Sequence, residues 1–150
     1  MGEDWIMTSF FMTIPVKAVP GSNRKIVVNG RIIDIAKGKA GFTAQTRMYA
    51  AARAEEFGWE PFDGPVAASY RFFFARPKSH YGTGKNAATL KESAPERHVQ
   101  RPDVTNLVKC MEDALSGIVW RDDSRVAELD AVKFWAEKDS VEITVMKLEG

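Results

Sequence analysis

The strongest constraint on the fold is a run of apolar residues at helical spacing between Pro102 and Gly117. At about 100° per residue its apolar members share one side, and they are Val104, Leu107, Val108, Met111 and Leu115. An opposite, polar face spans an arc of about 120° and holds Asp103, Asn106, Lys109 and Asp113. Pro102 and Asp103 are typical of a helix start, and Gly117 of a helix end. We therefore expect an amphipathic helix that packs its apolar face against another layer.

Strand patterns lie on both sides of this helix. Residues 8–19 and 66–76 are typical of strands, as are the alternating segments RVAELDAVKFWA and SVEITVMKL near the C-terminus. Asn29-Gly30 predicts a hairpin, and Lys138-Asp139-Ser140 predicts another between the last two strands. Thr43 is expected to cap an alanine-rich helix that ends near Gly58. This order predicts an α+β domain with two main helices packed on one face of a mixed or antiparallel sheet.

Bulk composition favours a single domain over residues 1–150 and excludes several protein classes. Apolar residues make up 45% of the chain, which is enough for one core. The single cysteine, Cys110, excludes an intramolecular disulfide framework and is expected to be buried. No apolar run reaches transmembrane length, and the apolar segment at residues 5–16 lacks the basic flank of a signal peptide. We therefore expect a cytoplasmic protein with no membrane partner.

The charge is unevenly distributed along the chain. Residues 71–102 hold seven Lys/Arg against two Asp/Glu, whereas residues 103–150 hold six against eleven. Residues 77–101 show no periodicity, and a loop of that length is usually functional or mobile. A phosphate backbone is the expected ligand of its basic residues, chiefly Arg76, Lys78, Lys85, Arg97 and Arg101. A solvated loop is the alternative interpretation. YGTGK lacks P-loop spacing, and His80 and His98 lack zinc-ligand spacing.

Carboxylates flank the predicted helix at both ends. Asp103 stands at its start, and Asp122-Asp123 follow it in a turn. Mg²⁺ binds one or two carboxylates, keeps several waters and accepts phosphate oxygens. A nearby lysine such as Lys109 would stabilise charge on a phosphoryl group. The alternative interpretation is structural, because aspartate favours helix starts and turns and a polar helix face is usually solvated.

RPDVTNLVKCMEDALSGIVWRDDSRV at residues 101–126 resembles the signature of RusA-type Holliday junction resolvases, the small crossover-junction endonucleases of phages and prophages. The matching positions are Asp103, Asn106, Leu107, Lys109, Asp113-Ala114-Leu115, Gly117 and Asp122-Asp123. FARPKSHYGTGKN and, more weakly, TIPVKAVPGSNRK also resemble phage members, so the resemblance covers most of residues 8–146. It implies a RusA-like homodimer that binds four-way DNA junctions and nicks two opposing strands with Mg²⁺, in DNA recombination and repair.

The resemblance also implies roles for single residues. It makes Asp103 and Asp123 catalytic, metal-binding carboxylates and Lys109 the catalytic lysine, with support from Asn106, Asp113 and Asp122. The family usually has a second aspartate where this chain has the uncharged Thr105, so Asp113 or Asp122 is a candidate to replace it. We expect a Mg²⁺-dependent junction resolvase. The alternatives are a junction-binding protein that has lost cleavage and an interaction domain with a solvated helix.

Overall fold

The structure, a computed structural model, describes residues 8–20, 25–34 and 37–150. The chain runs through β1 (Ser9–Ile14), β2 (Lys25–Val28), β3 (Arg31–Asp34), α1 (Lys37–Phe57), β4 (Val66–Ala75), α2 (Val104–Leu115), β5 (Val126–Ala136) and β6 (Ser140–Lys147). Four strands form a mixed sheet in the order β1-β6-β4-β5, in which β5 is parallel to β4 and the other pairs are antiparallel. This is the predicted α+β class.

The core lies between one face of the sheet and the two helices. Alternate residues of β1, β4 and β6 are buried, and their register aligns Met12, Ile143 and Tyr70 across the three strands. The helices pack against each other and contribute Ala50, Leu107 and Met111 to the same core. Burying one large apolar side chain stabilises the fold by roughly 1.5–3 kcal/mol. The predicted amphipathic helix is therefore confirmed, and Cys110 is buried as expected.

The first helix begins earlier than the sequence predicted. α1 starts at Lys37, so Thr43 lies inside the helix and is not its cap. Gly38 and Gly41 weaken the helical signal of this segment, because glycine is a poor helix former. Phe42, which is buried in the core, supplies the packing that overrides this propensity. The predicted end of the helix is confirmed, since Gly58 follows with a φ of +66°.

One predicted hairpin is confirmed and the other is wrong. β2 and β3 pair around Asn29 and Gly30, whose φ values of +52° and +74° fit a two-residue hairpin turn. β5 and β6 do not form a hairpin, because β4 lies between them. β6 buries alternate residues and occupies a central position, whereas β5 is an edge strand. Alternation specifies which face of a strand is buried but not which strand is its neighbour.

The connection from β4 to β5 positions both groups of candidate residues. Because these strands are parallel, the chain must return along the sheet between them, through residues 76–103 and then α2. Asp103 precedes α2, and Asp123 begins a short 3-10 turn that leads into β5. Of the helices in the described parts of the chain, none combines the length and apolar character needed to cross a membrane.

Candidate functional site

Asp103 begins α2 with its backbone but not with its side chain. It occupies the N-cap in an extended conformation, with φ −68° and ψ 139°. Its carbonyl oxygen accepts hydrogen bonds from the amides of Asn106 and Leu107, at 3.1 and 3.2 Å. Its carboxylate is exposed and makes no capping hydrogen bond, although such a bond typically contributes about 1 kcal/mol. The carboxylate therefore remains available to bind another group.

An open cleft of about 570 Å³ surrounds this carboxylate. Its lining brings two cationic side chains, Lys17 and Arg101, together with Asp103 and Asn106. The N-terminus of α2 meets the same cleft, and the free amides of a helix start attract anions. A phosphate group and a hard cation are the two ligands that this combination of charges favours.

Lys133 of β5 holds the segment that precedes Asp103. Its Nζ donates hydrogen bonds to the carbonyl oxygens of Gln100 and Pro102, each at 2.6 Å. Burial lowers the pKa of Lys133, and the Asp103 carboxylate acts in the opposite direction. Hydrogen bonds from a charged donor are stronger than neutral ones, so this lysine fixes the approach to the helix start.

The polar face of α2 is exposed along its length, as its composition predicted. Thr105, Asn106, Lys109 and Asp113 are all exposed. In the described parts of the chain, Lys109 forms no ion pair with a carboxylate. Its position is six residues beyond Asp103, or roughly 9 Å along the helix axis.

The adjacent aspartates after α2 have different roles. The Asp122 carboxylate accepts hydrogen bonds from the amide and the hydroxyl of Ser124, and these bonds hold the pKa of Asp122 below its usual range. Asp122 therefore caps the 3-10 turn. The Asp123 carboxylate instead contacts the Ser116 hydroxyl at the C-cap of α2. The indole nitrogen of Trp120 donates to the same hydroxyl at 3.1 Å.

Asp103 and Asp123 lie at opposite ends of α2. The thirteen steps from Asp103 to Ser116, which Asp123 contacts, correspond to about 20 Å along a helix. Two oxygens on one Mg²⁺ ion lie no more than about 4 Å apart, given bonds of 2.0–2.1 Å. These two carboxylates therefore cannot share one ion within a single chain. Among the described residues, no group of three or more His, Cys, Asp or Glu side chains is arranged to hold a metal.

The long loop of residues 76–103 has a defined shape. Tyr81 pairs with Leu90 in an antiparallel bridge, and the Gly82 amide donates to the Thr89 carbonyl at 2.9 Å. A Cβ at Gly82 would lie 2.6 Å from Asn86 Cβ, so a larger residue would force this turn to shift. The loop is thus a folded projection held by its own backbone hydrogen bonds.

The basic residues of this loop differ in whether their side chains are bonded to the protein or exposed to solvent. The Arg76 guanidinium donates to the Pro95 carbonyl at 2.7 Å, so it holds the loop together. The Arg97 guanidinium lies 5.7 Å from the centre of the Phe134 ring. Lys78 and Lys85 are exposed and extend from the loop. The two lysines are therefore better placed than Arg76 to contact a phosphate backbone.

Four residues near these sites carried no recognisable signal in the sequence. Lys17, in the segment after β1, lines the cleft beside Asp103, and Lys133 of β5 holds the residue before Asp103. Burial and the charge of Asp123 raise the pKa values of Glu112 on α2 and Tyr70 on β4. The one feature that could have been sought in the sequence is a lysine next to a predicted strand end, because such a lysine adds positive charge to the cleft.

Comparison with known proteins identifies the family. The family described as "Endodeoxyribonuclease RusA" matches residues 15–146, which include Asp103, Lys109 and Asp123. "Uncharacterized protein YqaN" of Bacillus subtilis (strain 168) is 33% identical over 90 residues, which are 58% of this chain and 61% of that protein. The matched region thus spans less than two thirds of this relative's length. Because the family match extends over most of the chain, this protein belongs to the RusA endodeoxyribonuclease family.

Proposed function

We propose that this chain is a Mg²⁺-dependent endodeoxyribonuclease of the cytoplasm that resolves Holliday junctions by paired nicks in DNA recombination and repair. The observation that carries the proposal is the uncapped Asp103 carboxylate, which lines the same cleft as Lys17 and Arg101 at the start of α2. Membership of the RusA family supplies the reaction class. The single cysteine, Cys110, is in keeping with a reducing compartment.

The residues of the cleft, together with Lys109, would have separate roles in phosphodiester cleavage. Lys17 and Arg101 would hold a DNA phosphate, and the N-terminus of α2 would add favourable dipoles. Asp103 would bind Mg²⁺, with the Asn106 amide beside it, and its free carboxylate fits that role. When bound, Mg²⁺ activates water and neutralises charge on the scissile phosphate. Lys109 would stabilise the charge that develops on the phosphoryl group.

The DNA on either side of the cleft would contact the long loop. Lys78, Lys85, Arg97 and Arg101 are exposed, and their positive charges favour binding to a phosphate backbone. A homodimer is part of the proposal, because paired nicks need two active sites. Exposed apolar side chains support a second copy as the partner, and they include Phe11, Met48 and Tyr49.

A junction-binding protein without cleavage is the second candidate. The observation that favours it is Thr105, which is exposed but uncharged, so that Asp103 is the one carboxylate among the described residues that line the cleft. A single carboxylate binds Mg²⁺ more weakly than a pair. Phosphate binding by Lys17 and Arg101 does not depend on that difference.

A labelled four-way junction, incubated with the pure protein with and without Mg²⁺, tests the proposal. We expect symmetric nicks that require Mg²⁺, and their loss in Asp103→Asn with junction binding unchanged or tighter. The control is Asp130→Asn, which removes an exposed carboxylate from β5. Junction binding without nicking by the parent protein would favour the second candidate. Normal nicking by Asp103→Asn would show that the cleavage site lies elsewhere.

A further inference from the structure

Two arginines beyond the C-terminal end of α2 share one carboxylate. The carboxylate of Asp63, in the segment between α1 and β4, accepts a hydrogen bond from the Arg121 guanidinium at 3.0 Å. It accepts two more from Arg125, from Nε at 3.1 Å and from Nη2 at 2.8 Å. The hydrogen bonds from Arg125 and Arg121 lower the pKa of Asp63, so this carboxylate is charged at neutral pH. One negative charge therefore faces two positive charges, and a net positive charge remains.

Backbone hydrogen bonds already hold the two segments together. The Phe62 amide donates to the Val119 carbonyl at 3.1 Å, and the Arg121 amide donates to the Phe62 carbonyl at 3.0 Å. The side chains of Asp63, Arg121 and Arg125 are 59%, 65% and 34% exposed. Ion pairs in such positions contribute little to stability, because water and salt screen them. The connection between these segments therefore does not depend on the Asp63 carboxylate.

The two guanidinium groups also suit a phosphate. An arginine fork binds the oxygens of a phosphate with the same geometry as those of a carboxylate. The three bonds to Asp63 use a minority of the N–H donors that two guanidinium groups carry. Both arginine side chains reach solvent, so a ligand can approach them from outside. The Asp63 carboxylate thus occupies a position in which phosphate oxygens would be bound.

The position of this arginine pair favours a DNA strand as the ligand. Arg121 follows Trp120, which forms a bridge with Ser116 at the C-cap of α2. Lys17 and Arg101 line the cleft at the opposite end of the helix. The two ends are about 20 Å apart, which corresponds to about six nucleotides at roughly 3.4 Å each along one strand. A DNA backbone that runs along α2 would therefore meet cationic groups at both ends.

We propose that Arg121 and Arg125 bind a phosphate of the DNA backbone, and that Asp63 occupies this site in the free protein and is displaced by DNA. This inference rests on the DNA substrate of the proposed function and adds a second phosphate site to it. A free anion must compete with a carboxylate that the fold holds beside the arginines. A strand already bound at the cleft instead presents its next phosphates at a high effective concentration. Asp63 therefore disfavours weakly bound anions and permits a strand that is held elsewhere.

Binding of a labelled four-way junction in EDTA, measured by fluorescence anisotropy, tests the site without cleavage. Asp63→Asn should tighten binding about three- to tenfold at low salt, because DNA no longer has to displace a carboxylate. The double variant Arg121→Gln, Arg125→Gln should weaken binding about tenfold and flatten the slope of log affinity against log salt by about 0.9. Adding Asp63→Asn to that double variant should change the affinity by less than about twofold, because the effect of Asp63 acts through the arginines.

Matched variants separate the arginine site from general charge. Asp130→Asn removes an exposed carboxylate from β5 and should leave the affinity near that of the parent. Arg125→Lys keeps the charge without the fork and should weaken binding about threefold, so it decides the question if the glutamine pair does not fold. Thermal unfolding checks the fold of every variant. Equal tightening by Asp63→Asn with and without the arginines, or by Asp130→Asn, would overturn the inference, as would parent-like affinity in Arg125→Lys and the glutamine pair.

A salt comparison distinguishes a DNA phosphate from a free one. Sodium phosphate should displace the junction no more than sodium chloride does at equal ionic strength. Stronger displacement by phosphate that depends on Arg125 would assign the site to a free anion and overturn the assignment to DNA.

Junction nicking in Mg²⁺, measured in parallel, separates this inference from the proposed function. Coupling between Asp63 and the two arginines in a protein that binds but does not nick the junction would reject the proposed activity and retain the phosphate site. Mg²⁺-dependent nicking by a protein without that coupling would retain the activity and reject the site.

Discussion

The Nζ atom of Lys133 lies 2.6 Å from the carbonyl oxygen of Pro102, the residue directly before Asp103. This contact links the edge strand β5 to the start of α2 across 31 residues of sequence. A second hydrogen bond, to the Gln100 carbonyl and also at 2.6 Å, means that Lys133 holds the segment before Asp103 at two points. The position of the Asp103 carboxylate therefore depends on a side chain from a different layer of the fold.

Replacing Lys133 by methionine should slow nicking more than it weakens junction binding. The substitution removes both bonds to the segment before Asp103, and each bond from a charged donor contributes about 1.5–3 kcal/mol at most. Since Lys133 is partly exposed, the loss of stability should be smaller than that sum. Single-turnover nicking at saturating protein measures the effect. Lys133→Arg should recover part of the rate because it retains a charged donor, and Arg71→Met on the outer face of β4 is the control.

If Lys133 positions Asp103, its loss should change the single-turnover nicking rate more than the junction affinity. Loss of junction affinity with an unchanged single-turnover rate would instead make Lys133 a phosphate contact. Equal losses in Arg71→Met would attribute the effect to the general positive charge of the protein.

Charge reversal at Lys78 and Lys85 should weaken binding to every DNA shape. Both lysines are exposed on the long loop, whereas Arg76 is excluded from the test because its guanidinium holds the Pro95 carbonyl. Each lost phosphate contact should flatten the slope of log affinity against log salt by about 0.9. Fluorescence anisotropy at several salt concentrations gives that slope. Arg71→Glu is the matched control, and an unchanged slope in the double variant would place the loop away from DNA.

Sequence periodicity predicted the local structure well and the arrangement of strands less well. The apolar spacing from Val104 to Leu115 was sufficient for α2, because a one-sided helix has one way to bury its face. The pairing of β6 with β4 was not accessible, because alternation is satisfied equally by a hairpin with β5. The early start of α1 depends on Phe42, whose burial is a tertiary effect.

In the candidate site too, the sequence motif indicates some residues, whereas others are brought there only by the tertiary fold. The pattern around Asp103 and Asp123 is local, so the resemblance to RusA-type enzymes is enough to predict a role for both residues. The helix between the two aspartates sets the distance between them. The sequence motif alone does not show this distance. Lys17 and Lys133 lie beside Asp103 through the fold alone. No spacing rule relates them to the motif.

His98 should make the stability of the protein fall as the pH drops below about 6.5, its unfolded pKa. His98 is 5% exposed, and its ring is tilted against those of Phe74 and Trp135, with centroid distances of 4.3 and 4.2 Å. Burial lowers the pKa of His98, and the positive charges of Lys133 and Lys17 add to the effect. The folded state therefore binds fewer protons than the unfolded state between the lowered pKa and the normal one. Stability is present above that window and is lost as the pH falls through it.

Thermal unfolding between pH 5 and pH 8 measures this dependence. His98→Phe keeps an aromatic ring between Phe74 and Trp135 but removes the titrating group, so its Tm should vary less below neutral pH. His80→Phe is the control, because that ring is only partly buried. An identical acid dependence in the parent and His98→Phe would assign the effect to other groups.

Thr105→Asp should lower the Mg²⁺ concentration needed for nicking. Position 105 is exposed, two residues beyond Asp103, and Asp103 is extended, so the two side chains are not fixed on opposite sides of the helix. A carboxylate in the first turn also interacts favourably with the helix dipole, by about 0.3–1 kcal/mol, so the variant should fold. We expect half-maximal nicking at about tenfold lower Mg²⁺, which corresponds to about 1.4 kcal/mol of added binding. Thr105→Asn has the same shape as the aspartate without its charge, and it should leave the requirement near that of the parent. Equal Mg²⁺ titrations for the Asp and Asn variants would show that position 105 does not reach the ion beside Asp103.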